Sequence, residues 1–580
     1  MKIKSITLIL LLSVTSLFAQ EKTPENAGPE KLVPSSAILF AETARIDSFI
    51  PVIKYFITNF SSPDSEGALT WCENFKAKTG IDPLDSVSLS KADIDVTRSA
   101  YLAYLQAGSN ADKILIFIPV KNEKSFPMKF VEILKKYNKD KKDVNLNPAI
   151  APYKKYPIYQ IQKDIFFTPV DGFLVLASSS EIIAGVIDRK LDEKGGQSLG
   201  DDPTFLDYRD KNRQCTDVRV YIKKEFLDET YASRIEKKAA EEKQNGDGLN
   251  DSESGDAITP NGGEGDVEKM PDEGAGTTAV QKPVPPDFSY LKYMGLGLKK
   301  DDEQISVHFG ISLNEDLPAT KVMTSIFKPG KPRDLLPVSN PLAYYYISFD
   351  LSAFNEWCNR GEAGSEHICD QYKKALKSVS EALSINVEKD FIPYFAGYVN
   401  VAARKAKIAG TLDNFVFKLP MTDEGKCKAF WKTLKSSFEK QYAGVQKFGE
   451  EKIDAMPSFW FKDKTGNKIS VIAHQKNIYL GNNTEFLRLS LDTKGGDFFQ
   501  NTQIDCLKNL DDNMFLVSYL KVDNESYMKA LLMLLTYNAG PQVSGMVNRI
   551  NTITLVGNRI DTFFSLYLTV TLQPQMQPAK

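Results

Sequence analysis

Apolar and polar positions run along this chain in two passes that keep the same order. Each pass opens on a Pro-containing strand, Leu32-Val33-Pro34-Ser35-Ser36-Ala37-Ile38-Leu39-Phe40 in the first and Leu336-Pro337-Val338-Ser339-Asn340-Pro341-Leu342-Ala343-Tyr344 in the second. A helix-like stretch follows each opening. Two adjacent strands come next, 101–107 with 114–120 and 398–403 with 415–420, and Pro119 or Pro420 closes the second strand of each pair. An amphipathic helix follows over 125–136 and again over 426–438. Phe126, Phe130, Ile133 and Leu134 have the spacing of one buried helical stripe.

The clearest correspondence is a β-hairpin, 165–178 against 469–482, two apolar strands joined by a short polar turn. Short helices at 181–191 and 484–491 lead to the pairs Gly195-Gly196 and Gly495-Gly496. Each pass then has a strand and helix, 217–222 with 225–231 and 514–520 with 525–535, and closes on two strands, 293–298 with 305–313 and 552–556 with 562–572. A repeated order is the mark of tandem units. It predicts two related modules, 32–327 and 336–572, joined by a turn-forming linker at 328–335 that contains Lys328-Pro329-Gly330-Lys331-Pro332-Arg333. The 580 residues exceed what one hydrophobic core usually organises. Strands that alternate and turn back through short connections, with interspersed helices, predict an α+β class. Each module is expected to be a mainly antiparallel sheet with helices packed on one face.

Two segments depart from this pattern. Lys2 and Lys4 precede an apolar run from Ile6 to Val14, and Leu17-Phe18-Ala19-Gln20 offers a small residue at a cleavage point. This predicts a secretory signal peptide over 1–20, cut between Ala19 and Gln20, and an exported protein, periplasmic or extracellular. The run is short for a bilayer span, so no membrane span is expected once the signal is removed. Residues 239–286 are rich in Gly, Asp, Glu, Asn and Ser and carry almost no large apolar side chains. Such a composition buries too little surface to offset its ordering entropy and predicts a disordered acidic insertion within the first module.

The chemistry-bearing residues exclude more than they assign. Three histidines, His308, His367 and His474, leave no histidine cluster for a metal, and there is no His-Glu-x-x-His, Cys-x-x-Cys, phosphate loop or nucleophile elbow. His308 is expected on a strand facing water or a polar edge, and His474 at a hairpin turn. Ser88-x-x-Lys91 and Ser437-x-x-Lys440 match a serine–lysine hydrolase pattern, which a chain rich in both residues meets by accident. Catalytic, cofactor-binding and metal residues are therefore assigned to none. Six cysteines are too few for a disulfide scaffold. Cys358 and Cys369 flank a Gly-containing loop as a candidate disulfide, the alternative being two separate buried thiols. A net charge of −3 without a basic tract argues against nucleic acid.

Binding is easier to motivate than catalysis. Tyr344-Tyr345-Tyr346-Ile347-Ser348-Phe349 and Phe459-Trp460-Phe461 put aromatics on both faces of strands, where one face meets the core and the other is either covered or available. The opening strand, the hairpin Pro169-Val170-Asp171-Gly172-Phe173-Leu174-Val175-Leu176 and the following Asp202-Pro203-Thr204-Phe205 resemble a family of exported bacterial proteins of unknown function. That family has a Leu-Pro-x-(Asp/Ser) opening strand and an Asp-Gly-Phe-Leu-Val-Leu hairpin. The resemblance covers most of the first module, and in the second Lys476-Asn477 stands in place of Asp-Gly. It implies fold and export and carries no catalytic residue. The expectation is an exported, non-enzymatic binding or envelope-associated protein, its partner an unknown protein or a small apolar ligand. The alternative is an envelope polymer or peptide hydrolase with its site between the modules.

Overall fold

The computed structural model describes residues 28–59, 63–106, 113–140, 148–161, 164–192, 196–213, 217–232, 288–301, 303–330, 335–338, 341–361, 366–405, 414–443, 447–463, 466–491, 507, 512–522 and 549–573. The signal peptide with Ala19 and Gln20, the acidic insertion, most of the linker, Cys215, Cys506 and the His367 side chain lie outside the described residues.

The first half contributes β1 (Leu39–Arg45), β2 (Ser99–Gln106), β3 (Lys113–Pro119), β4 (Ala149–Tyr153), β5 (Tyr156–Gln160), β6 (Phe166–Val170), β7 (Phe173–Ala177), β8 (Val218–Lys223), β9 (Leu291–Asp301) and β10 (Gln304–Leu313). The second contributes β11 (Ala343–Ser348), β12 (Tyr398–Arg404), β13 (Asn414–Pro420), β14 (Phe448–Ile453), β15 (Met456–Lys462), β16 (Lys468–His474), β17 (Asn477–Gly481), β18 (Met514–Lys521), β19 (Ile550–Ile560) and β20 (Phe563–Leu572). All twenty strands join one sheet, and every pairing between them is antiparallel. The class is α+β.

The hydrogen-bonded order is β4-β5-β6-β7-β3-β2-β1-β8-β9-β10 in the first half and β14-β15-β16-β17-β13-β12-β11-β18-β19-β20 in the second. The halves meet where β10 pairs with β20. Register agrees as well as order. Phe40 faces Ala103 and Tyr221 as Tyr344 faces Ala402 and Tyr519, and Leu115 faces Ala177 as Val416 faces Gly481. At the junction Val307 faces Leu568, Phe309 faces Leu566, and His308 faces Tyr567 between them. The centre of the sheet is thus the His308–Tyr567 pair.

Local sequence explains the recurring motifs. Asp171 and Gly172 have φ of 54° and 74°, the left-handed pair that a two-residue hairpin turn demands. The Arg98 guanidinium stacks over the Phe173 ring at 4.2 Å and donates to the Gly172 carbonyl, while the Gly172 amide donates to Glu123. In the second half the register puts Gln475-Lys476 at this turn rather than Lys476-Asn477, since His474 already pairs with Asn477. Asp202 caps a helix by accepting from the Thr204 amide, with Pro203 in the first turn where its missing N–H costs nothing.

The helices cover both faces of the sheet, not the one expected. On one face α1 (Ile46–Asn59), α2 (Pro63–Thr79), α3 (Ser86–Lys91) and α4 (Phe126–Tyr137) bury Leu102, Ile114, Ile116, Leu174 and Leu176. On the other, α5 (Ser180–Lys190) and α6 (Pro203–Lys211) bury Tyr101, Leu115, Phe117, Tyr221 and Tyr293. The cause is visible in β7, whose five residues are all buried, a run with no solvent side. We call these the leucine face and the tyrosine face. After α7 (Pro318–Ile326), the second half repeats the division. There α8 (Leu351–Arg360), α9 (Glu366–Leu383), α10 (Val387–Asp390) and α11 (Glu424–Gln441) flank the leucine face over β13, β15, β16 and β17. The tyrosine face of that half packs on α12 (Thr484–Leu491).

Candidate functional site

Between the two helical layers the leucine face of the sheet is open. One ladder row crosses it in register. Leu298 on β9 faces Val307, Val307 faces Leu568, and Leu568 faces Leu555. The row continues through Ser518 and Tyr345 to Val401, Phe417 and Leu480. Eight of its nine side chains are apolar or aromatic, and none is titratable apart from the Tyr345 phenol. Val307 and Leu568 are 38% exposed, Tyr345 38% and Phe417 39%. The adjacent row holds Leu296, 37% exposed, then the half-buried Phe309 and Leu566. Exposed apolar residues scattered singly are ordinary; a contiguous patch this wide is not.

The margins of the open strip are built. Along one side Tyr55 from α1 packs in a cluster with Ile305, Val522, Ile550 and Leu572. The Lys300 ammonium sits 4.6 Å from the Tyr55 ring centroid, and burial pushes the Tyr55 phenol above its ordinary pKa. Along the other side Phe327 packs against Phe515 and Phe564, with Leu227 and Phe288 in the same cluster. There Arg559 donates to the carbonyls of Thr324 and Phe327, capping the end of α7, and its burial lowers its pKa. The cations beside the strip are therefore engaged with protein groups. At its ends the row runs into the helix-covered cores, Leu298 on the first-half side and Leu480 on the second.

The tyrosine face behind the strip is its opposite. His308, Ser312, Thr554, Ser565 and Thr569 are buried there, each 4% exposed or less. The His308 ring stacks on Tyr567 at 4.2 Å, and burial pushes its pKa down to about 4. The expectation of a solvated His308 is therefore corrected. Strand alternation puts it on the covered face.

Other sequence candidates fall elsewhere. Cys358 in α8 and Cys369 in α9 form a disulfide with Cα atoms 5.0 Å apart, in the layer flanking the second half. Cys72 and Cys427 are buried free thiols, with pKa raised by burial to about 11. Ser88 accepts from the Asp82 amide and Ser437 donates to the carbonyls of Leu383 and Ser384, so both hydroxyls of the Ser-x-x-Lys patterns are committed to backbone. An open cavity of about 760 Å³ lies among α8, α9, α10 and α11, lined by Lys373, Lys377, Glu381, Glu388 and Asp390 with neutral polar groups. Among the described residues no group of three or more His, Cys, Asp or Glu side chains is placed to hold a metal, and no helix is long and apolar enough to cross a membrane. Tyr345 was singled out in the sequence as part of an aromatic run, whereas Val307, Leu568 and Phe417 were not. Their only signal is strand alternation.

No protein-family model and no curated protein matches this chain. Solved structures similar to it include crystal forms IV, III and I of the treponemal protein TP0453. Their identities to this chain are 11%, 11% and 12%, with TM-scores of 0.24, 0.25 and 0.24. The matches cover 51%, 52% and 52% of this chain and 84%, 87% and 85% of those. A likeness of this size transfers nothing to the site.

Proposed function

We propose that this chain is an exported, envelope-associated binding protein, two tandem related modules that hold an apolar ligand on the open leucine face where they join. The observation that carries the reading is the uncharged row from Val307 to Phe417, exposed between built margins. Apolar surface gains roughly 25 cal/mol per Å² when removed from water, so such a strip favours any hydrocarbon that can lie in it. Pockets for small apolar ligands commonly combine an apolar floor with few polar groups, and Ser518 and the Tyr345 hydroxyl are what this floor offers. Export rests on Lys2, Lys4 and the apolar run that follows, and predicts that the mature chain begins at Gln20 or Glu21. The hydrolase reading has less support, because the Ser-x-x-Lys hydroxyls bond backbone.

The test is binding of an environment-sensitive apolar dye, anilinonaphthalene sulfonate, to the purified mature protein. Leu568→Asp and Tyr345→Asp each place a charge on the strip at an exposed position, and each should weaken dye binding about tenfold or more, the equivalent of about 1.4 kcal/mol. Melting temperatures should hold. Unchanged dye affinity in both variants would remove the strip as the binding surface.

A further inference from the structure

Resting on that reading, we infer that the ligand is a single linear hydrocarbon chain longer than one membrane leaflet, laid across the strands rather than along them. The open part of the row starts at Val307 on β10 and ends at Phe417 on β13, with β20, β19, β18, β11 and β12 between. At about 4.8 Å per strand these seven strands span about 29 Å. The open floor is only two ladder rows deep, the Val307 row and the Phe309 row, about 7 Å apart. The cluster holding Tyr55 limits it on one side and the cluster holding Phe327 on the other. A floor four times longer than it is wide fits an extended chain and leaves a compact ligand in contact with a small part of it.

Length then selects the class. The hydrocarbon core of a bilayer is about 30 Å thick, so a chain that reaches across one leaflet spans about 15 Å and would fill half the floor. The full floor matches a very long acyl chain or a polyisoprenoid. Charge agrees with this. Nothing in the row pairs with a headgroup, and the nearest cations, Lys300 and Arg559, are engaged at the margins. A polar end group therefore belongs beyond the floor and contributes little to recognition.

The experiment is displacement of bound anilinonaphthalene sulfonate from the mature protein by octanoate, palmitate, lignocerate and a polyprenol of matching length. A buried methylene is worth up to about fourfold in affinity. Affinity should therefore keep climbing beyond palmitate, with lignocerate or the polyprenol binding at least tenfold more tightly. Val307→Asp and Phe417→Asp, at opposite ends of the floor, should each weaken the long chain about tenfold, whereas a compact ligand feels one of them at most. A plateau at palmitate, or sensitivity to only one end, overturns the extended-chain inference and leaves apolar binding standing. Failure of every chain to displace the dye overturns both. Tighter binding by the polyprenol than by lignocerate supports the inference with an isoprenoid as the source, and the reverse supports an acyl chain.

Discussion

The two faces of the central strands invert the usual relation between polarity and burial. On β20, Leu568 is 38% exposed and its neighbour Thr569 is 2% exposed. On β10, Val307 is 38% exposed while His308 is 3% exposed. Elsewhere in the sheet both faces are packed under helices, and there burial follows hydrophobicity, as in Leu115 and Phe117 on one side and Ile114 and Ile116 on the other. The buried polar groups of the centre are bonded to each other where the structure shows it. The Ser306 and Thr569 hydroxyls lie 3.2 Å apart and the Thr552 and Thr571 hydroxyls 2.5 Å apart. Hydrogen-bonded hydroxyls can be buried at little net cost. Exposed leucines gain nothing from being where they are. Folding alone accounts for the tyrosine face, whereas the leucine face at the junction makes physical sense only with something on it.

The largest test of this contrast uses two adjacent residues. Thr569→Asp puts a carboxylate where the native hydroxyl is buried, and unfolding by denaturant should show a loss of about 3–5 kcal/mol. Leu568→Asp, one residue along the same strand, should cost less than about 1 kcal/mol. Equal costs would mean that the two faces do not differ in cover as described. The next effect is set by pH. His308 is held at about 4 against an ordinary 6.5 because burial disfavours its charged form. The unfolded chain therefore binds a proton between pH 6.5 and 4 that the folded chain refuses. The stability His308 supports is fully present above pH 6.5 and is lost as pH falls toward 4, by up to roughly 3 kcal/mol. Urea midpoints measured across that window should fall, and His308→Gln should remove that share of the fall. A His308→Gln protein with the same pH slope would show that the ring is hydrated in the folded state.

Much of the scaffold was legible in the sequence. Alternation located most strands, Asp171-Gly172 announced its turn, and the repeated order anticipated the shared strand order of the halves. The β4–β5 hairpin was missed because Pro152, Lys154, Lys155 and Pro157 interrupt its apolar run, as Asp454 and Ala455 interrupt β14 and β15. Helices on both faces were foreshadowed by all-apolar runs such as Phe173–Ala177, a signal outweighed by the alternating strands around it. The pairing of β10 with β20 joins residues more than 250 positions apart and leaves no local trace. That pairing creates the candidate site. Alternation within Ile305 to Leu313 says that the strand has two faces, but which one is covered depends on helices contributed from elsewhere in the chain. The same ignorance put His308 on the wet side.

The smallest effect is the sharpest check on the leucine face. If Leu296 and Val307 are retained for a ligand rather than for the core, replacing both by threonine should leave the free protein almost unchanged. Threonine keeps the β-branched shape that suits a strand, so the exchange removes hydrophobicity without removing strand preference. Leu296 is 37% exposed and Val307 38% exposed, and neither belongs to a buried cluster. The expected change in unfolding free energy is within about 0.5 kcal/mol for each site. A core position losing the same groups would lose several times as much, because Leu→Ala in a packed interior costs about 2–5 kcal/mol. A double variant destabilised on that scale would place both side chains inside a packed interior, and the inversion between the faces would vanish. A double variant as stable as the parent, yet weakened toward the long hydrocarbon chain, would separate what folds the sheet from what the sheet holds.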